Sequence, residues 1–199
     1  MKGFFLCSLI FVLGLVQGQV IQTDVLAYVN NYRRLHDAPP VMYDTSLETG
    51  AVTWAGHLAV IQSLVHSVSN GTYGENLGAI TNSATGWQHV IDLWYAEGTN
   101  YDYAAGQFSA TAGHFTQLVW KATTAIGIGQ ALDSQGLLWV VMRFHPAGNV
   151  VGGYVKNVGP LVDVVKIPAP PVVQKSPPPV VQNPPPIPLT QNYKCKCTC

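Results

Sequence analysis

Apolar residues recur at helical spacing in three stretches of the chain. Val25, Leu26, Val29 and Tyr32 follow Thr23-Asp24, with Arg33 and Arg34 assigned to the polar side. This pattern predicts a first helix closed by Pro39-Pro40. Asp44, Thr45 or Ser46 can cap a second helix, running from Leu47 through Trp54, Leu58 and Ile61 to Val65. Trp87, Val90, Ile91 and Trp94 fall at i, i+3, i+4 and i+7, which predicts a third helix over residues 86–97. Residues 114–120 fit a helix or a buried strand equally well, and the period does not decide between them. A β-hairpin follows: residues 125–132, the turn Asp133-Ser134-Gln135-Gly136, then residues 137–144. Small residues alternate in its first arm at Ala125, Gly127, Gly129 and Ala131, which suits close packing against a helix.

The two ends of the chain do not belong to this pattern. Lys2 precedes an uncharged apolar run from Phe4 to Val16, with small residues at Val16 and Gly18 before a cut near Gln19. Residues 1–18 therefore read as a secretory signal peptide, too short for a comfortable membrane span of about 20 residues. Secretion to the extracellular space is the expected address. From residue 164 the chain becomes a proline-rich tail, with ten of the fourteen prolines lying at or beyond Ile167. Such a segment favours extended polyproline II, cannot build a core, and is expected to be a disordered spacer. One domain is thus expected over residues 19–163.

Charge sharpens the division. Residues 19–163 hold five basic and all ten acidic residues, a net charge of −5, while the tail carries four lysines and no acid. An acidic body argues against nucleic acid, whose affinity rests on neutralising phosphates. The basic tail can touch an anionic surface or a cell-wall or matrix polymer. Cys7 leaves with the signal, so the body holds no cysteine. Cys195, Cys197 and Cys199 cannot all pair within one tail, which points to an intermolecular disulfide.

Candidate chemistry concentrates at a few positions. His66 ends the second helical pattern, Glu75 lies in Tyr73-Gly74-Glu75-Asn76-Leu77, and Glu97 follows Trp94-Tyr95-Ala96. His114 opens an amphipathic run ending in Trp120. Between them, Tyr101, Tyr103 and Phe108 form an aromatic loop with Ala and Gly that can open and close over an apolar ligand. Asn70-Gly71-Thr72 is an N-glycosylation sequon. His36, His57, His89 and His145 have no partner implied by spacing and are assigned structural or surface roles.

The run Gly113-His114-Phe115-Thr116-Gln117-Leu118-Val119-Trp120-Lys121-Ala122-Thr123 resembles a signature of the CAP superfamily, the cysteine-rich secretory, antigen 5 and pathogenesis-related proteins. The resemblance extends over about Val25 to Tyr154 through Leu35-His36-Asp37-Ala38-Pro39-Pro40, Leu64-Val65-His66-Ser67, Gly74-Glu75-Asn76-Leu77 and the Trp94–Glu97 spacing. It implies an α+β fold, a three-layer α–β–α sandwich with a mixed, mainly antiparallel sheet. It also implies that His66, Glu75, Glu97 and His114 converge in a cleft. There each carboxylate can accept an imidazole N–H and leave the other nitrogen of His66 and His114 for a divalent metal such as zinc, weakly held and exchangeable. The Tyr101–Phe108 stretch is similar to the sterol-binding loop of yeast-type fungal members. Residues 140–150 resemble a second family signature, but Met142 stands in place of cysteine and Phe144 in place of tyrosine, so the usual disulfide is absent.

Three functions follow as expectations. The leading one is a secreted module that binds a sterol or fatty acid, with a metal in the cleft. The second is a metal- or Ser/Thr-assisted protease or hydrolase, in which His66 or His114 beside Glu75 activates water or a hydroxyl such as Thr81 or Ser83. No G-x-S-x-G or H-E-x-x-H element supports that reading. The third is a cell-wall or matrix-associated structural or defence protein tethered by its tail.

Overall fold

The computed structural model describes residues 22–81 and 86–162. The expected signal peptide, Ser83, and the proline-rich tail with its three cysteines lie outside the described residues.

The first helix, α1, covers residues 22–34 and buries Val25 and Val29 completely. The second, α2, is Thr45–Ile61, and its N-cap is Asp44, whose carboxylate accepts from the Ser46 and Leu47 amides at 2.7 and 3.1 Å. It stops earlier than its apolar pattern predicts. Gln62 turns left-handed at φ 51° and closes the helix by donating to the Leu58 carbonyl, so Leu64, Val65 and His66 leave as irregular chain. Helix α3 is Gly86–Ala96, followed by a single 3-10 turn at Glu97–Asn100. The undecided segment forms a short helix, α4, at Gly113–Leu118, and a last turn, α5, covers Tyr154–Asn157.

Among the described residues four strands form one sheet in the order β1 (Met42–Tyr43), β3 (Ala125–Leu132), β4 (Leu137–His145), β2 (Gly74–Thr81). Only β1 and β3 run parallel, and β3–β4 and β4–β2 are antiparallel. On one face α2 lies so close that a Cβ on Gly127 would come within 2.2 Å of the Glu48 amide, and one on Gly129 within 2.1 Å of the Val52 amide. The alternating small residues of β3 are therefore the floor on which α2 rests, with Ala51, Ala55 and Leu58 meeting Leu77, Trp139 and Val141. On the other face α1 and α3 bring Val25, Val29, Trp87, Val90, Ile91 and Trp94 onto Ile126, Val140, Met142 and Phe144. The result is the α–β–α sandwich. Met142 and Phe144, standing where the family has cysteine and tyrosine, are fully buried and simply fill the core.

Arg33 departs from its predicted place. It is fully buried, and its guanidinium donates to the carbonyls of Pro39, Leu118, Trp120 and Thr123 at 2.9–3.0 Å. Burial pulls its pKa down to about 10, which still leaves it charged at neutral pH. Its charge is spread over backbone dipoles, and the bonds tie α1 to the segment leaving α4.

Candidate functional site

Strand β2 is the edge strand that organises the site. Glu75 faces Arg143 across the β2–β4 ladder, and Asn76 faces Met142. Successive residues of a strand point to opposite faces, so Glu75 looks to the α2 side and Asn76 to the α3 side.

On the α2 side Glu75 is almost closed off, with 4% of its side chain exposed, and it holds His66 at 3.1 Å from Nδ1 to Oε1. It also accepts from the Ser67 amide at 2.9 Å, the Ser67 hydroxyl at 2.6 Å and Arg143 Nε at 3.2 Å. Arg143 in turn donates to Ser67 Oγ at 3.1 Å and lies over the Tyr73 ring, 4.2 Å from its centroid. Burial by itself pushes the Glu75 carboxyl up, but the hydrogen bonds from His66, Ser67 and Arg143 outweigh it and hold the group below its ordinary value.

On the other side Glu97 opens the 3-10 turn and performs two tasks. Its Oε1 binds His114 Nδ1 at 2.7 Å, and its Oε2 accepts from the amides of His114 and Phe115 at 3.0 and 3.4 Å. The carboxylate thereby covers open amides at the start of α4 while it fixes the imidazole. The His114 ring stacks on Trp94 with centroids 5.9 Å apart. Asn76 Nδ2 donates to the His114 carbonyl at 3.0 Å, so neighbouring residues of β2 carry the two His–Glu pairs.

The four predicted residues thus form two matched pairs, His66–Glu75 and His114–Glu97, reaching the edge strand from its two sides. In each pair the carboxylate accepts a hydrogen bond from Nδ1–H, and in the neutral ring Nε2 then carries the lone pair. Neither Nε2 makes a hydrogen bond with a described residue, and both histidine side chains are open to solvent, 62% for His66 and 37% for His114. No group of three or more His, Cys, Asp or Glu is arranged around a common cation position among the described residues.

The loop aromatics separate. Tyr101 is buried against Phe115, Val119, Trp120 and Tyr154, whereas Tyr103 and Phe108 remain exposed, the Tyr103 ring edge-on to Tyr101. Thr81 lies at the far end of β2, six residues and about 20 Å from Glu75 by strand geometry. Asn70 is exposed at the tip of a turn, with φ 48°. His36 is buried between the Gly159 carbonyl and the Tyr95 hydroxyl, and exposed His145 meets the Thr72 carbonyl, both structural roles. Sequence reasoning missed Ser67, Tyr73, Asn76 and Arg143. Only Arg143 left a signal, as the single charge within the apolar run of residues 137–144.

Residues 26–144 match the profile of the family described as "CAP: Cysteine-rich secretory protein family". The human "Golgi-associated plant pathogenesis-related protein 1" is 40% identical over 141 residues, covering 69% of this chain and 91% of that protein. This chain belongs to the CAP family. A Saccharomyces cerevisiae relative, "Protein PRY2", is 42% identical over 143 residues, which span 70% of this chain but 41% of the yeast protein. Among solved structures, "Structure of BmVAL-1" superposes with a TM-score of 0.59 at 21% identity, covering 70% of this chain and 82% of that one. "Crystal structure of NaASP2 with Zn2+" gives a TM-score of 0.53 at 20% identity, covering 70% and 86%. These two share the CAP fold with this chain. Among the described residues no helix is long and apolar enough to cross a membrane.

Proposed function

We propose that this CAP protein is a secreted binding module that carries a sterol or fatty acid at the loop of Tyr103 and Phe108. The observation that carries this reading is the exposure of those two aromatic side chains, 38% and 57%, while the Tyr103 ring meets the buried Tyr101 edge-on with centroids 4.9 Å apart and Phe108 lies over Gly113. Large apolar side chains held in water on a loop gain stability by covering an apolar guest. Equilibrium binding of labelled sterol and labelled fatty acid to the full chain tests it. Tyr103→Ala and Phe108→Ala should each weaken binding, and a wild-type protein that binds neither ligand overturns the reading.

We infer further that His66 and His114 supply nitrogen ligands to a weak, exchangeable site for a divalent cation such as zinc, because in each the Nδ1–H bond to a carboxylate leaves Nε2 for a metal. The zinc-containing NaASP2 shares the fold and supports the reading. Such an ion would supply a positive charge at the edge of β2, with water completing its coordination. Calorimetric titration with zinc should give weak binding in the wild type and none in the His66→Ala/His114→Ala variant.

A hydrolase reading has less support. Ser67 is the hydroxyl beside His66, yet its proton goes to Glu75 rather than to an imidazole nitrogen. That bond sets the hydroxyl against a carboxylate held below its ordinary pKa, a weak base for activating an alcohol.

A further inference from the structure

Two phenol hydroxyls are closed off from solvent and have no hydrogen-bond partner among the described residues: those of Tyr101 and Tyr154. Their residues are 6% and 1% exposed, and both belong to the cluster with Phe115, Val119 and Trp120. They share one apolar environment, since Tyr154 is raised by burial first and then by the nearby Tyr101. A single buried, unpaired hydroxyl is uncommon and costly, because it gives up water and gains nothing in return. Two in one cluster define a place where an acceptor is missing.

The segment above them is lightly held. Residues 102–110 hydrogen-bond only with neighbours between 102 and 112, chiefly through the Asp102 carboxylate on the Ala104 and Ala105 amides. Their contacts outward are apolar. Gly106 sits at φ 54° against Val155, where a Cβ would come within 2.5 Å of the valine methyl, and Phe108 lies over Gly113. Val155 is itself 80% exposed, and residues 102–105, 107, 108 and 110 of the segment are exposed.

We propose that the Tyr101 and Tyr154 hydroxyls form the head-group end of the ligand site, donating to the terminal oxygen of an amphiphile, with residues 102–110 as its cover. The inference rests on the apolar-ligand reading above and adds the polar chemistry that orients the guest. A sterol hydroxyl and a fatty-acid carboxylate both offer the acceptor oxygen that two phenols require. Tyr101 is thereby a recognition residue from below the loop, while Tyr103 and Phe108 cover the apolar body.

The test is competition against a fluorescent sterol on the full chain, using a sterol and the same sterol without its hydroxyl, and a fatty acid and the alkane of the same chain length. Wild-type protein should prefer the free-headed partner of at least one pair by about tenfold, and which pair does so identifies the ligand class. Tyr101→Phe and Tyr154→Phe should each weaken that partner about threefold to tenfold and leave its headless counterpart unchanged. Because Phe retains the ring, unfolding midpoints should confirm that both variants fold. Equal affinity for headed and headless ligands in wild type overturns the head-group assignment while leaving the binding reading intact. So does a double variant that still discriminates, since the hydroxyls then face internal water only. Binding of none of the four ligands by wild type overturns both readings.

Discussion

Glu75 and Arg143 stand directly opposite each other in the β2–β4 ladder, with Oε2 and Nε 3.2 Å apart and only 4% and 12% of their side chains exposed. The pair sits beneath His66 and fixes the carboxylate that orients its ring. Removing one partner of a buried ion pair leaves the other charge uncompensated, which typically costs about 3–5 kcal/mol. Arg143→Met should therefore lower unfolding free energy by about that amount, measured by urea denaturation. Glu75→Ala should do the same and also release the His66 ring. On the metal reading proposed above, zinc affinity then falls along with stability.

The same carboxylate sets a pH dependence. Glu75 titrates below its ordinary value of 4.5 in the folded protein, because its hydrogen bonds to His66, Ser67 and Arg143 outweigh the opposing effect of burial. A depressed folded pKa contributes stability above the unfolded value and loses it as pH falls through the folded value. Thermal melts of the wild type and of Glu75→Gln should differ most near neutral pH and converge as the medium is acidified below 4.5. A gap that stays constant across that range would show that Glu75 is not held low.

Much of the fold was legible because its helices and hairpin are amphipathic or small-residue patterns with local causes. Asp44 caps α2, and the Ala/Gly alternation of β3 marks the surface on which that helix rests. Strand β2 was not legible as a strand. Gly74-Glu75-Asn76-Leu77-Gly78 neither alternates nor carries β-branched residues, and it extends only because the apolar β4 supplies a partner along its whole length. The end of α2 was overrun for the converse reason. Leu64 and Val65 continue the apolar character, but both lie exposed after the left-handed Gln62 has closed the helix. The resemblance supplied the identities of His66, Glu75, Glu97 and His114, and the structure supplied their pairing. Arg33 was misplaced because spacing put a guanidinium on a polar face, when the nearby Pro39 carbonyl and three carbonyls distant in sequence were waiting for it.

Arg33 accordingly carries a prediction of its own. Its planar fork reaches Pro39, Leu118, Trp120 and Thr123 at once, a set of directions that a lysine ammonium on a thinner stem does not reproduce. Arg33→Met leaves these acceptors without their donor and should cost about 3–5 kcal/mol. Arg33→Lys should recover less than half of the loss. Chemical denaturation of the three proteins measures the ordering, and a lysine variant as stable as wild type would show that charge alone is sufficient.

The turn bearing Asn70 gives the last prediction. Asn70 stands exposed at φ 48°, in the left-handed region that asparagine and aspartate tolerate better than other side chains. Its side chain makes no hydrogen bond with a described residue, while Thr72 secures the turn by donating from Oγ1 to the Ser69 carbonyl at 2.6 Å. The amide is thus free to carry a glycan without disturbing any contact of the fold. Secreted protein should lose mass on treatment with a peptide amidase that releases N-linked sugar, and Asn70→Asp should run at the treated mass. Aspartate keeps the left-handed preference and is also the residue that the amidase leaves behind, so the variant and the treated protein are the same polypeptide. The turn lies four residues beyond His66 and is tied to the end of β4 through His145 and the Thr72 carbonyl. A glycan there would shield this edge of the sheet from large partners while leaving the imidazoles open to small ones. Wild-type secreted protein that shows no mass change on treatment would establish that Asn70 is unmodified.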